Sequence, residues 1–185
     1  IYTSGNFDEG QSIVAVDATN GNVIWTQSVT GGPPDHKYEG SRTTPTVDGD
    51  RLYVVSSDGK VVCLKSEDGS IVWSRDFQDW GGKMMSVWGY SESPLVDGNQ
   101  VICTPGGPEG MIVALDKMTG EEVWATKLPV FEDKQGLNGK PLKDGAGYSS
   151  PIVSHGGGVK QYIQLVGRGL ISVRADNGGL LWTYD

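Results

Sequence analysis

The stretch Gly120–Leu128 reads GEEVWATKL. Three other stretches match it: GNVIWTQSV from Gly21, GSIVWSRDF from Gly69 and GGLLWTYD from Gly178. In each, a Trp stands four residues after a Gly. The tryptophans Trp25, Trp73, Trp124 and Trp182 are 48, 51 and 58 positions apart. A fixed period of this length marks a repeat architecture in which each unit packs only on its neighbours.

Turn chemistry sets the strands within a unit. Ser93–Thr104, SPLVDGNQVICT, reads as strand, Asp-Gly-Asn turn, strand. Asp-Gly between apolar runs is a strong hairpin signal. Thr44–Trp73 holds three such turns, at Asp48-Gly49, Asp58-Gly59 and Asp68-Gly69. Four strands joined by three tight turns make an antiparallel meander. The flanking runs are rich in Val, Ile, Leu and Tyr, and no helix of useful length is expected.

The fold class expected is all-β: a β-propeller of four-stranded antiparallel blades. With strands A to D running outward from the channel, the first unit, 1–27, is an incomplete blade that begins in strand B. Full blades are expected at 44–75, 92–126 and 150–184, making fifteen strands in one partial ring over 1–185. An open arc leaves apolar faces bare, so the remainder of the propeller or a second copy is expected to close the ring. The chain opens IYTSG, already strand-like, and is expected to be a processed or truncated piece of a longer one.

The Gly-Trp pair has a structural reading. Gly permits the positive φ of a tight C–D turn. The Trp on the outer strand then buries a large flat ring between blades, its N–H donating to a carbonyl of the adjacent blade. All four tryptophans are expected to be structural docking residues in the core.

Bulk properties narrow the function. The 185 residues carry 15 Lys and Arg against 23 Asp and Glu, a net charge of −8. Nucleic-acid and anionic-membrane partners need the opposite charge. No run of about 18 apolar residues offers a membrane span. Cys63 and Cys103, the two cysteines, have no CxxC spacing; buried free thiols are expected, and a bond between them remains open in an oxidising compartment.

At these motifs the chain resembles the pyrroloquinoline-quinone-like (PQQ-like) β-propeller repeat family. Its repeat runs roughly Ala-x-Asp-x-x-Thr-Gly-x-x-x-Trp, and Ala114–Trp124 matches fully. Asn20 stands where Thr precedes Gly, and Lys65 and Arg174 stand where Asp is usual. The resemblance implies an eight-bladed ring, of which this chain is nearly half. It also implies one of two functional types. One is the quinoprotein dehydrogenases, which hold PQQ and usually Ca²⁺ in the channel. The other is non-catalytic scaffolds, such as a lipoprotein of the outer-membrane β-barrel assembly machinery. The chain looks most like unassigned exported bacterial members, so a periplasmic, cell-envelope or secreted location is expected.

The D–A connections are long: Val29–Thr43, Phe77–Ser91 and Leu128–Ser149. On a propeller they share one face with the B–C loops, and binding residues concentrate on such loops. Their ends read YEGSRTTP, WGYSESP and AGYSSP. These bring Tyr38, Glu39, Arg42, Trp88, Tyr90, Glu92 and Tyr148 toward the channel mouth, with Arg168 of a B–C loop added. Aromatic faces beside a few polar groups suit a protein, small-molecule or glycan ligand. A structural role is the alternative: Tyr and Ser closing each blade, Arg42 pairing with Glu39 or Glu92, and Arg168 solvated. A glycan-binding reading rests on Trp80, Trp88, Tyr90 and Tyr148.

A quinoprotein enzyme needs a catalytic Asp, a Glu–Asn pair on Ca²⁺ and often a disulfide between adjacent cysteines. Cys63 and Cys103 are too far apart in sequence for that disulfide. Glu92 suits Ca²⁺ in charge, but no second oxygen ligand is identifiable beside it. His36 and His155 read as solvated loop residues, and no Ser/His/Asp arrangement is visible. No catalytic residue and no metal set is assigned. The expectation is a non-catalytic binding or scaffold module, with a fragment of a PQQ-dependent dehydrogenase as the alternative and a carbohydrate-binding propeller as a further one.

Overall fold

The computed structural model describes residues 1–37, 40–129 and 143–184. These hold fifteen strands in four antiparallel sheets. Sheet I has three strands, β1 (Tyr2–Phe7), β2 (Gly10–Val16) and β3 (Val23–Ser28). Sheet II is β4 (Thr46–Asp48), β5 (Arg51–Val55), β6 (Lys60–Lys65) and β7 (Ile71–Asp76). Sheet III is β8 (Leu95–Asp97), β9 (Gln100–Cys103), β10 (Ile112–Asp116) and β11 (Glu122–Thr126). Sheet IV is β12 (Ile152–Ser154), β13 (Gln161–Val166), β14 (Gly169–Arg174) and β15 (Leu180–Tyr184). Each sheet is a meander in chain order, as its tight turns dictate. Two 3₁₀ turns, Phe77–Trp80 and Gly156–Gly158, complete the described regular structure.

The turn before each outer strand follows one local scheme. The Asp17 carboxylate accepts from the Thr19 N–H, and Asp116 accepts from the Met118 and Thr119 N–H groups. Such Asx turns explain the Asp of the repeat. Where Lys65 and Arg174 replace it, Asp68 and Asn177 accept instead, from the N–H groups of Ser70 and Gly179. The Thr19 and Ser70 hydroxyls, together with these N–H groups, hold the Asp17 and Asp68 carboxyls below their ordinary pKa, and the Met118 and Thr119 N–H groups do the same for Asp116. One residue beyond the Trp pairing, every sheet has a bulge, as between Cys63 and Leu64. The bulge adds twist at the same place in each sheet.

The core lies between sheets. Tyr53, Val55, Val61, Cys63 and Trp73 of sheet II pack with Val101, Cys103, Val113 and Leu115 of sheet III. Ile102, Ile112, Ala114 and Trp124 pack with Tyr162, Ile171 and Val173 of sheet IV. Cys63 and Cys103 are free and buried, and burial pushes both thiols up in pKa.

Successive sheets share one contact. Trp25 lies against Gly69, Trp73 against Gly120 and Trp124 against Gly178, each Gly at positive φ. A Cβ on those glycines would meet the indole at 2.6, 2.7 and 2.4 Å. The Trp25 N–H donates to the Ser66 carbonyl and the Trp73 N–H to the Lys117 carbonyl, each at 3.1 Å. The tryptophans are not uniformly core. Trp73 and Trp124 are buried, Trp25 is half-buried, and Trp182 is 40% exposed. The reason is positional: no described glycine of a further sheet covers Trp182, whose N–H turns to the Gln161 side chain.

Candidate functional site

The loops entering the innermost strands are linked in series. The Thr44 N–H donates to the Ser93 hydroxyl at 3.2 Å, and the Ser93 N–H to the Ser150 hydroxyl at 2.9 Å. Pro45, Pro94 and Pro151 follow these residues and turn the chain into the strands. The rim is therefore tied together by backbone N–H groups donating to the serine hydroxyls of the next connection.

On this rim stands an aromatic pair. Trp88 is 44% exposed, and its ring lies 5.7 Å from that of Tyr148, centroid to centroid, at 31°. The Arg42 guanidinium donates to the Trp88 carbonyl at 2.6 Å. Three successive connections thus converge, as the loop ends predict. The Tyr148 hydroxyl is enclosed without a hydrogen-bond partner. Tyr38 and Glu39 lie outside the described residues.

Other predicted site residues are turned inward. Tyr90 is buried, its hydroxyl donating to the Pro105 carbonyl at 2.9 Å and its ring edge-on to Phe77 at 5.0 Å. Burial drives its pKa far up. Glu92 is 2% exposed. One carboxyl oxygen accepts from the Thr104 N–H at 2.5 Å, and the other from the Gln164 amide at 3.2 Å. Desolvation outweighs these bonds and pushes its pKa up to about 7. Gln164 also donates to the Thr104 hydroxyl and the Ser149 carbonyl, so the group knots sheets III and IV.

Arg168 is not solvated. It is buried, its guanidinium forked on Asp144 with both contacts at 2.5 Å and donating to the Pro129 carbonyl. A planar fork matched to a carboxylate is the geometry that holds an arginine inside. Trp80 is likewise buried, its N–H on Glu122 at 2.6 Å and the Arg75 guanidinium over its ring at 4.8 Å. It offers no face to a glycan.

A cleft of about 460 Å³ adjoins the rim, between Pro34–His36, the Ser57–Asp58 turn and Met84–Tyr90. His36 is half-buried rather than solvated. Its Nε2 lies 3.1 Å from the Ser57 hydroxyl, and Arg42 approaches its Nδ1 at 3.4 Å. Arginine only donates, so Nδ1 accepts and the proton sits on Nε2. That tautomer donates to Ser57 and cannot deprotonate it, so the pair is no nucleophile and base. Sequence reasoning missed this contact because 21 residues separate the two.

Among the described residues no group of three or more His, Cys, Asp and Glu could hold a metal. Glu92, the candidate Ca²⁺ ligand, spends both oxygens on internal partners. These residues do not fit a PQQ–Ca²⁺ centre.

The profile of a family described as outer membrane protein assembly factor BamB matches residues 9–185. The outer membrane protein assembly factor BamB of Alteromonas naphthalenivorans is 29% identical over 116 residues, 58% of this chain and 27% of that protein. The quinohemoprotein alcohol dehydrogenase ADH IIB of Pseudomonas putida is 29% identical over 136 residues, 67% of this chain and 18% of that protein. The chain thus spans under a third of either relative. The crystal structure of BamB from Moraxella catarrhalis superposes over all of this chain and 61% of that one, with a TM-score of 0.53 and 18% identity, a likeness of fold. With its Gly-Trp repeat, its meander sheets and this match over nearly the whole chain, the protein belongs to the BamB-type family of PQQ-like repeat propellers.

Proposed function

We propose that the chain is a non-catalytic binding module whose working surface is the long-loop rim. One observation carries the reading: Trp88, exposed, is held against Tyr148 and tethered through its carbonyl by Arg42. A large aromatic surface held in place costs little entropy on binding, and interfaces are enriched in Trp, Tyr and Arg for that reason. The rim is set on interlocked sheets, so the pair is preorganised. The assembly-factor relatives support a protein partner in the bacterial envelope, and so a role beside outer-membrane protein assembly. No described helix is long and apolar enough to cross a membrane, a statement that does not bear on β-barrels.

The dehydrogenase relatives supply the competing reading, and one experiment separates them. The protein is titrated with an unfolded outer-membrane β-barrel polypeptide, and separately with PQQ and Ca²⁺. The expected result is binding of the polypeptide that Trp88→Ala weakens at least tenfold. A PQQ-dependent visible absorbance with dye-linked alcohol oxidation would overturn the proposal. So would polypeptide binding that Trp88→Ala leaves unchanged.

A further inference from the structure

The three sheet-to-sheet contacts are built alike, but the third departs at two positions. In the first, the Tyr2 hydroxyl joins the Trp25 N–H on the Ser66 carbonyl. In the second, the Tyr53 hydroxyl joins the Trp73 N–H on the Lys117 carbonyl. The Lys117 ammonium also crosses to Asp48 at 2.7 Å. Backbone bonds fix the equivalences: the N–H groups of Ser66, Lys117 and Ala175 donate to the carbonyls of Asp50, Asn99 and Lys160. Tyr2, Tyr53 and Ile102 likewise stand two strands from their sheet's Trp, across Ala15, Cys63 and Ala114.

The third contact therefore has Ile102 where the others have Tyr, and Ala175 where the second has Lys. The Trp124 N–H, buried, has no partner. Beside Ala175 a cavity of about 400 Å³ opens on the face opposite the long loops. Its walls carry Asp97, Asn99, Gln100, Lys160, Arg174 and Asp176. The Gln100 side-chain oxygen is enclosed and also unpartnered.

We infer that this cavity binds a small neutral polyhydroxylated molecule, of monosaccharide to disaccharide size. The charges on its walls are already matched within the protein. Lys160 and the Tyr162 hydroxyl both hold Asp97, at 2.5 and 2.9 Å, and Arg174 holds Asp176 at 2.8 Å. An anion would meet two carboxylates, and a cation an ammonium and a guanidinium, with no unmatched countercharge to receive either. An apolar ligand would strand the amides of Asn99 and Gln100. Hydroxyl groups both donate and accept, so they satisfy paired ions and amides alike. The volume lies in the range of small-molecule sites.

Saturation-transfer NMR with glucose and maltose at millimolar concentration tests the inference. Transfer to at least one sugar is expected, reduced fivefold or more in Ala175→Lys. That change restores the side chain which at the second contact reaches across to Asp48. Asn99→Ala, which removes an exposed amide of the wall, is expected to weaken transfer as well and decides the matter if the lysine variant fails to fold. No transfer from either sugar overturns the inference, as does transfer that the folded variants leave unchanged. Binding of inorganic phosphate or spermidine in place of the sugars overturns the neutral ligand class.

Discussion

Trp73 lies flat against Gly120, so close that a Cβ on the glycine would stand 2.7 Å from the indole. Gly120 also has a φ of 74°. Gly21 has a φ of 78° at the same point of its turn, but nothing lies within 4 Å of its would-be Cβ. Gly21→Ala is therefore expected to destabilise by about 1–2 kcal/mol, the left-handed backbone cost. Gly120→Ala adds an overpacking cost of about 1–3 kcal/mol. Equilibrium urea unfolding of both variants measures the difference. Equal losses would mean that the indole contact carries no constraint.

Truncating the tryptophans should divide them by burial. Trp73→Ala removes a ring enclosed between two sheets and is expected to cost about 3–5 kcal/mol. Trp182→Ala removes one that is 40% exposed and is expected to cost well under half of that. Comparable costs would refute the view that contact with the following sheet is what gives the Trp its worth.

Glu92 makes stability depend on pH in a set direction. Its folded pKa, about 7, lies above the ordinary 4.5, so the native state holds the proton more tightly than the unfolded chain. The associated stability is fully present below pH 4.5 and is lost as pH rises through 7. The full swing is on the order of 3 kcal/mol. Glu92→Gln keeps an acceptor for Thr104 and cannot ionise. Its urea midpoint should change less between pH 5 and pH 8 than that of the native protein. An undiminished slope would place the titrating group elsewhere.

Arg42 acts on Trp88 through a backbone carbonyl rather than through the ring. Arg42→Gln should leave global stability within about 1 kcal/mol, since the contact is at the surface. The Trp88 ring should nevertheless become easier to quench with acrylamide. Unchanged quenching would mean that the stack on Tyr148 holds the indole by itself.

The His36–Ser57 contact yields a chemical prediction. With the proton on Nε2, Ser57 is not activated, and a fluorophosphonate probe should leave it unlabelled. ¹⁵N chemical shifts of the imidazole should report the Nε2–H tautomer. Labelling of Ser57 would reverse the proton assignment.

The amino-acid sequence by itself determined the architecture. Asp-Gly turns, the apolar runs that flank them and the Gly-Trp interval act over a few residues, so they are legible without the fold. They predicted fifteen strands in meander order, and the resemblance at the same motifs pointed to the family; that each Trp would meet the turn Gly of the next sheet was not among the predictions. The convergence of Arg42, Trp88 and Tyr148 was legible too, because each stands near the end of its connection, shortly before an innermost strand. Only the tertiary structure decided which rim residues face outward. Tyr90 and Glu92 neighbour Trp88 in sequence and Arg168 stands on a B–C loop expected on the same rim, yet their partners are Pro105, Gln164 and Asp144, residues that come near only when sheets and connections pack. The cavity at the third contact has the same origin. Ala175 is unremarkable by itself, and it borders an open space only because the repeat brings it to an interface where, in the contact before, Lys117 reaches across to Asp48.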